Sequence, residues 1–144
     1  MAARLWWLLR WLGHDAVSLL DGGFPAWQKQ GRELDAELPA IRPCEFLAAP
    51  DDSLWVDSEA VLDALQRKRL IIDARAEERF SGFIEPLDKV AGNIPGSINA
   101  PFEDNLDMRG NFLNAGELRA NYASLLHGAP PGEVIHMCGS GVTA

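Results

Sequence analysis

The stretch Val134-Ile135-His136-Met137-Cys138-Gly139-Ser140-Gly141-Val142-Thr143-Ala144 decides how this chain is read. Its first half is brief and apolar, β-branched at two positions and preceded by Pro130-Pro131-Gly132. That pattern predicts a buried strand ending at Cys138. Its second half has the composition of a tight loop. Gly139 and Gly141 admit backbone angles that other residues avoid, and successive amides in such a loop form an anion-binding concavity. A cysteine at the mouth of that concavity is stabilised as thiolate, with a pKa anywhere from about 3.5 to 7.5 instead of about 8.5. In open α/β sheets, sites lie outside the carboxyl ends of the strands, where Cys138 is expected. The same residues also fit a half-buried structural cysteine before a glycine turn.

The rest of the chain narrows the choices. Its 144 residues suffice for an ordinary domain with a core. Hydrophobic residues make up 47% and charged residues 24%, the balance of a soluble globular protein. A net charge of −8 argues against nucleic acid and anionic membrane as partners. Cys44 and Cys138 form no CxxC pair, and His14, His127 and His136 have no ligand spacing, so neither a disulfide framework nor a metal is expected. Leu5 to Leu12 resembles a signal-peptide core, but Arg10 interrupts it and no small-residue cleavage site follows. It reads as a helix covered on most sides with Arg4 and Arg10 outward, and the expected compartment is the cytoplasm.

Read in order, residues 2–12 predict a helix closed by Gly13, Ala16 to Leu20 a short buried strand, and Ala26 to Gln30 a helix with Pro25 in its first turn. Residues 32–53, punctuated by Pro39, Pro43 and Pro50, predict a linker. Asp57 is a cap for a helix to about Arg67. Leu70 to Asp73 predicts a buried strand, Ala76 to Phe80 at most a short helix, and 81–93 a long loop. Ile94-Pro95-Gly96-Ser97-Ile98-Asn99 turns into a short strand, and Asn114 with Glu117 forms a capping box for a helix to about Leu126. Strand–helix alternation implies an α/β fold with a mostly parallel sheet flanked by helices.

Four separated stretches then converge on one family. Gly13-His14 through Asp21-Gly22-Gly23 to Trp27 resembles the segment that closes a rhodanese domain. Asp73-Ala74-Arg75-Ala76-Glu77-Glu78-Arg79-Phe80 resembles the opening of a second, catalytic domain. Ala91-Gly92-Asn93-Ile94-Pro95-Gly96-Ser97-Ile98-Asn99-Ala100-Pro101 resembles the family's Gly-His-Ile-Pro-Gly-Ala motif, with Asn93 in place of histidine. Cys138-Gly139-Ser140-Gly141-Val142-Thr143 resembles the active loop. The chain is thus similar to the tandem-domain rhodanese family of thiosulfate and 3-mercaptopyruvate sulfurtransferases.

That resemblance implies a rhodanese-like fold truncated at both ends. Residues 1–31 would be the C-terminal remnant of a first domain, 32–53 the interdomain linker, and 54–144 the catalytic domain without its C-terminal part. It implies a Cys138 persulfide, a small anionic sulfur donor, and a thiol, thioredoxin or cyanide acceptor, with no cofactor. Arg79 is the first choice for gripping the donor and Arg75 the second, because a guanidinium meets a carboxylate or sulfonate at two points. The backbone of Gly139, Ser140, Gly141, Val142 and Thr143 would hold negative charge. Neutral Gly139 and Ser140 resemble the mercaptopyruvate type, although Leu87-Asp88 stands where that type often has a basic residue. His136 is expected to pack within its strand. A cysteine phosphatase would need arginine six residues after the cysteine, where Ala144 stands. A non-catalytic binding module or an inactive remnant is the alternative from another class.

Overall fold

The computed structural model describes residues 2–144. These divide into two compact units, residues 2–54 and residues 55–144.

The unit of residues 2–54 is built from two helices and extended chain. Helix α1 spans Ala2–Trp11 and α2 spans Gly23–Lys29. Gly13 ends α1 at φ +85°, with its amide donating to Arg10 O and the His14 amide to Leu9 O. Those two bonds satisfy the last carbonyls of the helix in a Schellman arrangement, and only glycine takes that φ without strain. Trp7 and Trp11 stack at 6.2 Å, and Arg4 lies over the Trp7 ring instead of pointing outward. The strand expected at Ala16 to Leu20 does not form. Val17 and Leu19 are half-covered and Ser18 and Leu20 exposed, so the alternation of a strand is present. No chain among the described residues pairs with it, and hydrogen-bonding partners, not pattern, make a strand. The segment after α2 is largely without regular structure, held by the Ala49 and Asp51 amides donating to Leu12 O and Trp11 O.

The unit of residues 55–144 carries the sheet. Helix α3 spans Ser58–Gln66, capped by Asp57 Oδ1, which accepts from the Ala60 amide at 2.9 Å. Strand β1 is Ile71–Asp73, α4 is Glu77–Phe80, β2 is Ile98–Asn99, α5 is Ala115–Leu126 and β3 is Ile135–Met137. The capping box of Asn114 and Glu117 opens α5. All strands are parallel in the order β2-β1-β3, with Ile72 opposite Ile98 and His136. Every residue of the central β1 is buried, as an apolar run in a sheet covered on both faces requires. The core is Ala64, Ile71, Ile72 and Ala74, joined by two charged residues, Asp73 and Arg75. His136, expected to be packed, is exposed on β3 near Tyr122, the ring centroids 6.5 Å apart. Because the chain moves from β1 out to β2 and then back past β1 to β3, a crevice opens at the carboxyl ends of β1 and β3.

Candidate active site

That crevice is where the sheet delivers its chemistry. The Ala74 amide donates to Met137 O at 2.9 Å, which fixes the end of β1 beside the residue before Cys138. On the other side, Asn99 Nδ2 donates to Asp73 O at 3.0 Å and to Arg75 O at 2.8 Å, pinning the turn out of β1. The resulting cleft, of about 450 Å³, is lined among others by Arg75, Arg79, Glu103, Cys138 and Thr143.

Cys138 sits half-covered at the base of its loop, with the Gly141 amide donating to Sγ at 3.0 Å. Burial pushes the thiol pKa up. Hydrogen bonds from the Thr143 hydroxyl and from the amides of Thr143, Ser140 and Ala144 outweigh it and bring the pKa down to about 7. The loop's own donors therefore suffice for substantial thiolate at neutral pH. Gly139, Ser140, Val142 and Thr143 line the cleft, while Gly141 contributes its amide to the sulfur. Cys44 is an exposed cysteine in the other unit.

The two arginines play different parts. Arg75 is buried. Its Nε donates to Asp73 Oδ1 at 3.0 Å, and its Nη2 to Asp73 Oδ2 at 2.7 Å and to Gly92 O at 2.8 Å. Its Nη1 faces Glu85 Oε2 at 3.4 Å. These contacts, the hydrogen bond to Asp73 first, raise its pKa and occupy its donors. Arg79 lies nearer the loop. Its Nε and Nη2 hold Glu85 at 3.1 and 2.9 Å, and Nη2 also meets Asp88 Oδ2 at 2.9 Å. A Cβ added to Gly139 would meet Arg79 Nη2 at 3.0 Å and Nη1 at 3.1 Å, so glycine lets the guanidinium come against the loop. Hydrogen bonding by Arg79 above all lowers the Glu85 pKa to about 2.

Glu85, Asp88 and Asn99 escaped the sequence reading as site residues. A carboxylate inside a long loop, such as Glu85, has no fixed partner in sequence. Asn93 is exposed, and its Nδ2 donates to Phe80 O at 3.0 Å, tying the long loop to the end of α4.

A parallel sheet with a cysteine loop at its switch point and two arginines beside it is the architecture of a rhodanese-fold domain. No family model matches the chain. It is 47% identical over 145 residues to a probable 3-mercaptopyruvate sulfurtransferase of Pseudomonas aeruginosa, covering 99% of this chain and 51% of that one. It is 38% identical over 148 residues to a thiosulfate sulfurtransferase of Bos taurus, covering 99% and 49%. SseA of Escherichia coli, a 3-mercaptopyruvate sulfotransferase with the rhodanese fold, superposes with a TM-score of 0.77 at 34% identity, over 97% of this chain and 52% of that one. The chain belongs to the rhodanese family that holds the 3-mercaptopyruvate and thiosulfate sulfurtransferases. It spans about half the length of the curated relatives it matches.

Proposed function

We propose that this chain carries the catalytic half of a sulfurtransferase that moves sulfane sulfur through a persulfide on Cys138. The observation that carries the reading is Sγ held by loop donors with its pKa near 7, beside a cleft lined by Arg79. The Cys138 thiolate attacks the donor sulfur. With thiosulfate, the new S–S bond forms as the old one breaks, and its electron pair leaves on sulfite. With 3-mercaptopyruvate, the carbon–sulfur bond breaks, and the pair remains on carbon until protonation gives pyruvate. The outer sulfur of the persulfide then passes to a nucleophile: cyanide, a thiol or reduced thioredoxin. Both transfers depend on thiolate fraction and leaving-group pKa.

In this reading Arg79 grips the donor, and the amides of Gly139, Ser140, Gly141, Val142 and Thr143 hold developing charge. Arg75 is a positioning residue, since its donors are spent on Asp73, Glu85 and Gly92. A loop without basic residues and a 47% identical relative of that activity favour 3-mercaptopyruvate as donor. Residues 54–144 act as the catalytic domain, 1–31 as the closing part of a first rhodanese-like domain and 32–53 as the connection. The working compartment is the cytoplasm; no helix among the described residues is long and apolar enough to cross a membrane. The test is thiocyanate formation from cyanide with each donor. Cys138→Ser removes it and Cys44→Ser leaves it largely intact; equal loss in both variants would overturn the assignment.

A further inference from the structure

We propose that Asp88 is a displaceable gate on Arg79, a carboxylate of the chain itself that the anionic donor must replace. The inference rests on Arg79 as the donor-binding residue and adds what competes for it.

Two carboxylates hold Arg79, and they differ in how firmly each is fixed. Glu85 is 4% exposed. Besides Arg79, its Oε1 accepts the Leu87 and Asp88 amides at 3.0 Å each, and its Oε2 faces Arg75. It is built into the protein and orients Arg79 without help. Asp88 is 45% exposed, and among the described residues its side chain pairs with Arg79 at 2.9 Å and, more distantly, with Arg75 at 3.8 Å. The Asp88 amide stays tied to Glu85, so rotating the side chain is enough to free Arg79 Nη2, with no excursion of the loop.

Charge explains why such a group matters. Two guanidiniums, Arg75 and Arg79, face three carboxylates, Asp73, Glu85 and Asp88, and Glu103 also lines the cleft. With Asp88 in place the cluster holds an excess of negative charge, which opposes an approaching anion. A donor carboxylate that takes the place of Asp88 leaves the charge of the cluster unchanged and gains the Nη2 contact. Asp88 thus sets the threshold a donor must exceed, and it keeps Arg79 paired when no donor is bound.

The test uses the whole chain with Cys44→Ser, so that alkylation reports Cys138 alone. The rates with anionic iodoacetate and neutral iodoacetamide are compared for the parent, Asp88→Asn, Arg79→Ala and, as a charge control, Asp104→Asn. Asp104 is exposed, and none of its side-chain atoms meets Arg79. The ratio of iodoacetate to iodoacetamide rates is expected to rise about 2–5-fold in Asp88→Asn, the size of a part-exposed ion pair lost, and to stay at the parent value in Asp104→Asn. Arg79→Ala is expected to lower the ratio and to abolish the effect of Asp88→Asn in the double variant. KM for 3-mercaptopyruvate is expected to fall by the same 2–5-fold with kcat little changed. An unchanged or lower ratio in Asp88→Asn, or an equal rise in Asp104→Asn, would overturn the gate. Because alkylation needs only the thiolate, and its charge preference reads Arg79, it decides the gate even where no sulfur is transferred, so failure of the sulfurtransferase reading is seen separately.

Discussion

The two units make opposite use of similar residues. Residues 55–144 hold every buried residue among the described ones: Ala64, Ile71, Ile72, Asp73, Ala74 and Arg75. Residues 2–54 hold none, although Trp6, Trp7, Trp11 and Trp27 give that unit most of the chain's tryptophan. Each unit has an Arg–Asp pair. Arg75–Asp73 spans 2.7 Å inside the core, whereas Arg10–Asp15 spans 3.0 Å at the surface. Hydrophobic composition therefore does not make a core. Paired strands do, by removing both faces of a short apolar run from water while satisfying its backbone. The candidate site lies in the unit where the backbone is fixed, with Cys138, Arg75 and Arg79 lining one cleft; in the proposed function a thiolate and a guanidinium must be held in register to act together.

The largest expected effect breaks that contrast at its charged centre. Arg75→Ala leaves the fully covered Asp73 carboxylate unpaired and is expected to destabilise its unit by about 3–5 kcal/mol, read by urea unfolding. Arg10→Ala removes a solvent-screened pair and is expected to cost less than about 1 kcal/mol. Comparable losses would mean that burial does not separate the two units. Ile72→Ala against Leu20→Ala asks the same of apolar residues. Ile72 is 1% exposed and Leu20 56%, so about 2–5 kcal/mol is expected for the first and within about 0.5 kcal/mol for the second.

Arg79→Ala moves the comparison from stability to function. Its side chain is largely covered, but Glu85 keeps Arg75 and two backbone amides as partners when Arg79 is removed, so the variant is expected to fold. Loss of a charge-assisted contact worth about 1.5–3 kcal/mol should raise KM for the donor roughly 10–150-fold. Parent-like kinetics with both donors would show that the cleft grips its substrate elsewhere.

Legibility in the sequence followed the same division. The strand before Cys138, buried β1, the Asp57 cap and the capping box at Asn114 were all readable, because each depends on a local pattern that its partners reinforce; the burial expected of that strand was not, since β3 pairs on one side with β1 and its Ile135 and Met137 are only half-covered. The strand at Ala16 to Leu20 was misread for the converse reason: its pattern is local, but a strand needs a neighbour. The glycine spacing after Cys138 made a tight loop legible, and the structure has the Gly141 amide donating to Cys138 Sγ there. The network of Asp73, Arg75, Glu85 and Asp88 was not legible, since it closes through contacts as far apart in sequence as Arg75 and Asp88, in a loop with no periodicity.

A smaller effect tests that network through pH. The Glu85 pKa is depressed to about 2 from an ordinary 4.5, so its stabilising contribution is fully present above about pH 4.5 and is lost as pH falls through about 2. Glu85→Gln is expected to flatten the acid limb of the stability profile of residues 55–144, measured by denaturant unfolding between those values. An unchanged acid limb would mean that the pairing with Arg79 is not maintained in solution.

The central claim is that Cys138, and not Cys44, carries the transferred sulfur. The most direct measurement is the mass of the two cysteine peptides after the whole chain meets 3-mercaptopyruvate or thiosulfate with no acceptor present. The account predicts one added sulfur on the Cys138 peptide and none on Cys44, with loading that speeds up as pH rises through about 7. Cyanide should then strip that sulfur as thiocyanate. Donor consumed with Cys138 unmodified, or sulfur distributed equally over both cysteines, would contradict it.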